Sequence, residues 1–319
     1  MLDKIIIASN SKDRPNLKQV GAILEKSGYN VISYEPDRIV SGELDFKASF
    51  SSEGAAFHYD GIALNPESVR AGWFRRPSFY GDSADDVRLR VLHQEYVAIQ
   101  KNFWACVPES VWLNSPESMQ TADVKFLQLK IASSLGFHFP EVVVSNSWDH
   151  IESLEHEKLI VKLIEVRGLP FAEGKKTLPT TVVSRDALPK QATPYPGLWQ
   201  PYIEKKREWR VTVVGEKVFS AAIYTEDYAK DDWRVHQFGP GVTFRAEPFP
   251  DDLAEKCVAL LKHFNLRYGA FDFIETPDGE MVFLEVNANG QFMWLEQQLG
   301  LPISEAIASE LISIARENS

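Results

Sequence analysis

The sequence predicts a mixed α/β (α+β) chain, and three stretches carry that prediction. At the N-terminus, Lys4 to Ser9 reads as a buried strand. Asn16 to Ser27 spaces Leu17, Val20, Ile23 and Leu24 as a helix does, and Asn30 to Tyr34 reads as a second strand, so the chain opens as βαβ. Toward the C-terminus, Glu208 to Val218 alternates polar and apolar residues around Gly215, and Tyr268 to Gln291 places two apolar runs on either side of Pro277-Asp278-Gly279. Both are antiparallel hairpins. At 319 residues and 44% hydrophobic, the chain can bury a large core and has room for two or three domains.

The second hairpin organises the rest. Asp272 and Glu285 sit inside its apolar strands, where an uncompensated charge costs several kcal/mol, roughly. Glu285 and Asn287 are two apart and share a face. A two-residue Asp278-Gly279 loop sets Asp272 opposite Glu285, whereas a three-residue loop with a bulge at Gly279 shifts that register by one. Two carboxylates and a carboxamide on one face suit a hard divalent ion that keeps positions for phosphate oxygens and water, as Mg²⁺ does. The competing reading is an ordinary amphipathic hairpin with solvent-facing acids. The small residues Asn287-Ala288-Asn289-Gly290 fit close ligand approach.

A net charge of -11 argues against a nucleic-acid partner. Two cysteines, Cys106 and Cys257, fit a reducing compartment and lack metal-ligand spacing. No apolar run is long enough for a signal peptide or a membrane span, so a soluble cytoplasmic protein is expected.

Taken in order, the Ser9 to Pro15 connection lacks glycine and cannot form a Gly-rich phosphate loop. Ser41 to Pro66 adds strands. In Gly72-Trp73-Phe74-Arg75-Arg76-Pro77 the two arginines either meet a phosphate or acidic peptide or form a structural ion pair. A helix is expected over Ala84 to Phe103, and a first domain boundary near residue 115. Ser118 to Leu135 reads as one helix closed by Gly136, with Lys125 near its start. Glu141 to Val144, Lys158 to Lys162 and Thr180 to Ser184 are strands. Lys162 calls for an anion, or guards an edge strand. Three prolines within Pro189 to Pro196 mark a hinge and a second boundary, and Gln200-Pro201-Tyr202-Ile203 reads as a strand entry. Glu208, Arg210 and Thr212 share one face of their strand, turned to a polar site if Trp209, Val211 and Val213 face a core. Tyr224 to Gly241 is a charged, aromatic loop. Helices close the chain at Asp251 to Phe264 and Ile303 to Ile314.

GAFDF paired with FLEVNANG, Lys125, Lys162, QPYI and EWRVTVVG together resemble the ATP-grasp superfamily, and WFRRP with DWR resembles its ribosomal-peptide maturases of the microviridin (graspetide) kind. The resemblance implies an ATP-grasp fold with an N-terminal α/β domain (1–115), a small central domain (116–196) and a C-terminal antiparallel-sheet domain (197–319). It implies ATP contacts from Lys125, Lys162, Gln200, Tyr202, Ile203 and Glu208, and Mg²⁺ held by Asp272, Glu285 and Asn287. Arg210 and Arg234 are implied as catalytic cations. The glycine-rich lid of the superfamily is reduced here to Val166-Arg167-Gly168 and Ala172-Glu173-Gly174, and Phe171 to Val183 is the implied docking place of a leader peptide. The implied activity is ATP-dependent joining of Asp or Glu carboxylates of a precursor peptide to Ser, Thr or Lys, by a homodimer. A ligase acting on a small amine and a non-catalytic nucleotide-binding module are the alternatives; the latter is disfavoured because Asp272, Glu285 and Arg210 are all present.

Overall fold

The computed structural model describes residues 3–52, 54–77, 87–164, 180–187, 196–226, 233 and 239–319. Arg234, the shortened lid, residues 189–195 of the Pro-rich hinge and most of the Tyr224 to Gly241 loop lie outside them. The chain opens with β1 (Lys4–Ala8), α1 (Arg14–Lys26) and β2 (Asn30–Tyr34). After the short α2 (Pro36–Val40) come β3 (Phe46–Ser51), β4 (Gly54–Tyr59) and β5 (Ile62–Leu64), an antiparallel sheet of their own. Strand β6 (Val69–Phe74) then returns to the first sheet, whose order β2-β1-β6 is parallel throughout. Central β1 is buried from Ile5 to Ala8, as a parallel strand covered on both faces must be.

Helix α3 (Val87–Cys106) leads to α4 (Pro116–Ala122) and α5 (Lys125–Ser134). The single helix expected over 118–135 is thus two. Val124 takes extended ψ, and the Gln128 side-chain amide donates to the Ala122 carbonyl at 2.9 Å, supplying a partner that a continuous helix would not leave free. The restart puts Lys125 at the first turn of α5.

A small antiparallel sheet follows, built from β7 (Val143–Ser145), β8 (Lys158–Lys162), β9 (Thr181–Ser184) and β10 (Gly197–Pro201), with α6 (Trp148–Ile151) between β7 and β8. Its order is β7-β10-β8-β9, so β8 is an interior strand and the edge-guard reading of Lys162 fails. QPYI is a strand exit, not an entry: β10 begins at Gly197 and ends at Pro201, and the Tyr202 N–H makes one further bond to Lys158 O at 3.0 Å.

The larger antiparallel sheet runs β13-β12-β11-β14-β15, from β11 (Arg207–Val214), β12 (Lys217–Thr225), β13 (Val242–Ala246), β14 (Tyr268–Glu275) and β15 (Met281–Asn287). Helix α7 (Asp251–His263) joins β13 to β14 and, with α5, packs beneath one face, where Trp209, Val211, Val213, Phe271, Phe273 and Phe283 are buried. After α8 (Met293–Leu299), the closing α9 (Ile303–Glu317) lies against α1, β6 and β11, so its buried stripe joins the first sheet to the last in one apolar cluster. Among the described residues, no helix is long and apolar enough to cross a membrane.

Candidate active site

The β14–β15 hairpin closes through three residues, not two: the Thr276 N–H bonds Glu280 O at 2.9 Å, and Gly279 takes φ +90. That loop shifts the register by one, pairing Phe273 with Phe283. One extra residue, Leu284, then restores it, so that Asp272 pairs with Glu285. The expected facing carboxylates arise from two irregularities that cancel.

Strand β11 extends the row, because Arg210 is the cross-strand partner of Asp272 on its other side. Arg210 Nε lies 2.9 Å from Asp272 Oδ1, and both side chains are largely buried. At the far end, Lys125 from the start of α5 ion-pairs with Glu285. The row therefore reads Arg210, Asp272, Glu285, Lys125, two facing carboxylates with a cation at each end. One step along, Ala270 pairs with Asn287, whose Oδ1 accepts the Asn289 N–H at 2.8 Å and folds the chain out of the strand.

A cleft between the small and the large sheet takes in the two carboxylates of this row. Lys162, Gln200, Tyr202, Ile203, Glu208, Asp272 and Glu285 line it, while Lys125 and Arg210 border it through their ion pairs. Among the described residues, Asn287 is not in the lining, and no group of three or more His, Cys, Asp or Glu side chains is set to hold a metal. Gln200 is 6% exposed, and its Oε1 has no hydrogen-bond partner among the described residues. A buried acceptor left in that state costs about 1–3 kcal/mol unless a ligand donor meets it.

No protein-family model matches the chain, and no curated protein matches it significantly. Solved structures do. The RiPP-associated ATP-grasp ligase of Chryseobacterium gregarium, in complex with ADP and a leader and core peptide, superposes with TM-score 0.83 at 26% identity, over 98% of this chain and 97% of that one. Macrocyclase MdnC of Microcystis aeruginosa MRC, bound with precursor peptide MdnA, gives 0.82 at 27% identity over 97% and 99%. The D-alanine–D-alanine ligase of Bacillus anthracis, complexed with ATP, gives 0.55 at 12% identity over all of both chains, a likeness of fold alone. The chain is an ATP-grasp ligase.

In this ATP-grasp ligase the sequence reading missed a cation and the clamps that hold the strands. Lys205 lines the cleft, is 8% exposed in its side chain and ion-pairs with Glu208 three residues on; the charged run EKKRE hid which of its lysines turns inward. The Gln128 amide bonds Val286 on both sides, donating to its O at 2.9 Å and accepting from its N at 3.0 Å. Asn114 donates to Tyr268 O at 2.9 Å and Ala288 O at 2.7 Å, and accepts from the N–H groups of Arg267 and Tyr268. These partners lie 153 to 174 positions away in the chain, so no local pattern reveals them.

Proposed function

We propose that this ATP-grasp ligase activates Asp or Glu side chains of a ribosomally made precursor peptide and closes ester or amide cross-links to Ser, Thr or Lys. The observation that carries the reading is the pair of facing carboxylates Asp272 and Glu285 in the wall of the cleft, flanked by Arg210 and Lys125. The Chryseobacterium ligase, with its leader and core peptide, and MdnC, with its precursor, match nearly the whole chain and support a peptide as the substrate.

In this reading Gln200, Tyr202 and Ile203 receive the adenine, the buried Gln200 Oε1 accepting from its amine, and Glu208 completes the nucleotide contacts. Lys125 and Lys162 meet the phosphates. Asp272, Glu285 and Asn287 fit Mg²⁺, because an ion that keeps phosphate oxygens and water needs few protein ligands. When bound, Mg²⁺ offsets charge on the phosphate oxygens. Arg210, pre-set beside Asp272, stabilises the transferring phosphoryl group. Arg234 is given the same role. A carboxylate is a poor acyl donor at neutral pH. Moving the γ-phosphoryl group onto it gives an acyl phosphate, which a hydroxyl or amine attacks with loss of phosphate. Each ring thus removes one water from the peptide and converts one ATP to ADP and phosphate. Microviridin-type products, a homodimer and a cytoplasmic location belong to the same proposal, as do domains at 1–115, 116–196 and 197–319.

The test is mass spectrometry of short peptides encoded beside the gene, after incubation with the protein, ATP and Mg²⁺. Stepwise loss of one water per ring with ADP formed in step is the expected result. A mass gain matching an added amino acid would replace the reading with ligation of a small amine.

A further inference from the structure

The adjacent arginines that follow β6 have different fates. Arg75 is fully buried. Its Nη1 donates to Asn289 O at 3.0 Å, Asn289 Oδ1 at 2.9 Å and Gly290 O at 2.8 Å, and its Nη2 to Gln291 Oε1 at 2.7 Å. Its Nε lies 3.3 Å from the carboxylate of buried Asp13, and its guanidinium lies over the Trp73 and Phe292 rings. Of the two readings open at the sequence level, Arg75 takes the structural one.

Arg76 is half-buried. Its Nη2 donates to Asn289 O at 3.0 Å, and no carboxylate lies within ion-pair distance of it among the described residues. Its backbone is fixed on both sides, the N–H donating to Ala8 O at 3.2 Å and the carbonyl accepting from Asn10 Nδ2 at 2.8 Å. Burial, and then the charge of Arg75, push its guanidinium down to about 10. The cation is held where it is electrostatically unfavourable, which an arriving anion reverses.

The segment it touches adjoins the charged row. Asn289 closes the turn on Asn287, and a Cβ on neighbouring Gly290 would stand 3.4 Å from Arg210 Nη1. The lysines and Arg210 that serve phosphate in the reading above come from α5 and the two cleft sheets, whereas Arg76 comes from the segment that leaves the first sheet after β6. Resting on the peptide-ligase reading, we propose that Arg76 binds the carboxylate of the substrate's acidic side chain before it is phosphorylated. A planar guanidinium fork suits a carboxylate.

The experiment uses the full chain with Mg²⁺ and ADP and the first peptide found to lose water in the assay above. That peptide is compared with the same peptide carrying the amide in place of the reacting acid. Wild type is expected to bind the acid form about 10- to 100-fold tighter, the range of a charge-assisted hydrogen bond. Arg76→Gln is expected to bind both forms alike, Arg76→Lys to keep part of the preference, and both to bind Mg²⁺-ADP as wild type does. Melting of Arg76→Gln at or above the wild-type temperature is expected, because repulsion from Arg75 is relieved. An undiminished preference in Arg76→Gln, an equal loss for both forms, or a wild type that cyclises without preference overturns the inference alone. Wild type that consumes ATP and removes water from no such peptide removes the underlying reading, and the inference with it.

Discussion

Asp272 and Glu285 face each other across the β14–β15 ladder, and each is met from its outer side by a cation, Arg210 and Lys125. The two ends of the row differ in burial. Lys125 and Glu285 are each about one-third exposed in their side chains, so their pair contributes at most about 1 kcal/mol to stability. Arg210 is 10% exposed, and Asp272→Asn would leave it without its counter-charge. Glu285→Gln is therefore the cleaner test of chemistry. It is expected to lower ATP turnover at least about 100-fold while barely moving the melting temperature. Retained ATP consumption would end the metal assignment.

Arg75 makes a different prediction. Arg75→Met fills similar space but leaves Asp13 without the Arg75 charge and removes a donor from four acceptors of the Asn289–Gln291 segment. A loss of about 3–5 kcal/mol is expected from urea unfolding, the range for breaking a buried pair from one side. A change under about 1 kcal/mol would show that water enters and replaces the clamp.

Glu275 sets an acid limit on the large sheet. Burial pushes its carboxyl up, but hydrogen bonds from Arg207 Nε at 2.5 Å, Lys206 Nζ at 2.8 Å and Trp209 Nε1 at 3.0 Å outweigh that and hold it at about 2. With the folded value below the ordinary value of about 4.3, its stabilisation is complete above that value and fades as pH falls toward 2. The amount at stake is on the order of 3 kcal/mol. Wild-type stability should fall more steeply than that of Glu275→Gln between about pH 4 and pH 2. Parallel curves from urea unfolding would refute the assignment.

What could be read from the sequence follows from range. The face of Arg210 and Thr212 on β11 was legible because alternation decides it locally, and Trp209, Val211 and Val213 are buried as expected. The Asp272–Glu285 pair was legible only through a loop length that does not occur, rescued by the extra residue at Leu284. The break between α4 and α5 was not legible, since it depends on Gln128 reaching both Ala122 and a strand 158 positions away. The split between Arg75 and Arg76 needed Asn289 and Asp13 in space, which no spacing supplies.

Gly290 shows the same limit and gives the last prediction. Its place in the run of small residues suggested room for a ligand, but in the fold it permits a close approach between chain segments, since a Cβ there would stand 2.3 Å from the Ala270 Cβ. Neither atom is the end of a flexible side chain, so the backbone must move, at about 1–3 kcal/mol. Ala270 is also the ladder partner of Asn287, so the movement reaches the end of the charged row. Gly290→Ala should therefore lower both melting temperature and ATP turnover. Adding Ala270→Gly removes the opposing methyl and should restore most of the lost stability, since residues in contact do not add. Strictly additive losses in the double variant would mean that the Gly290–Ala270 contact does not set the position of this segment.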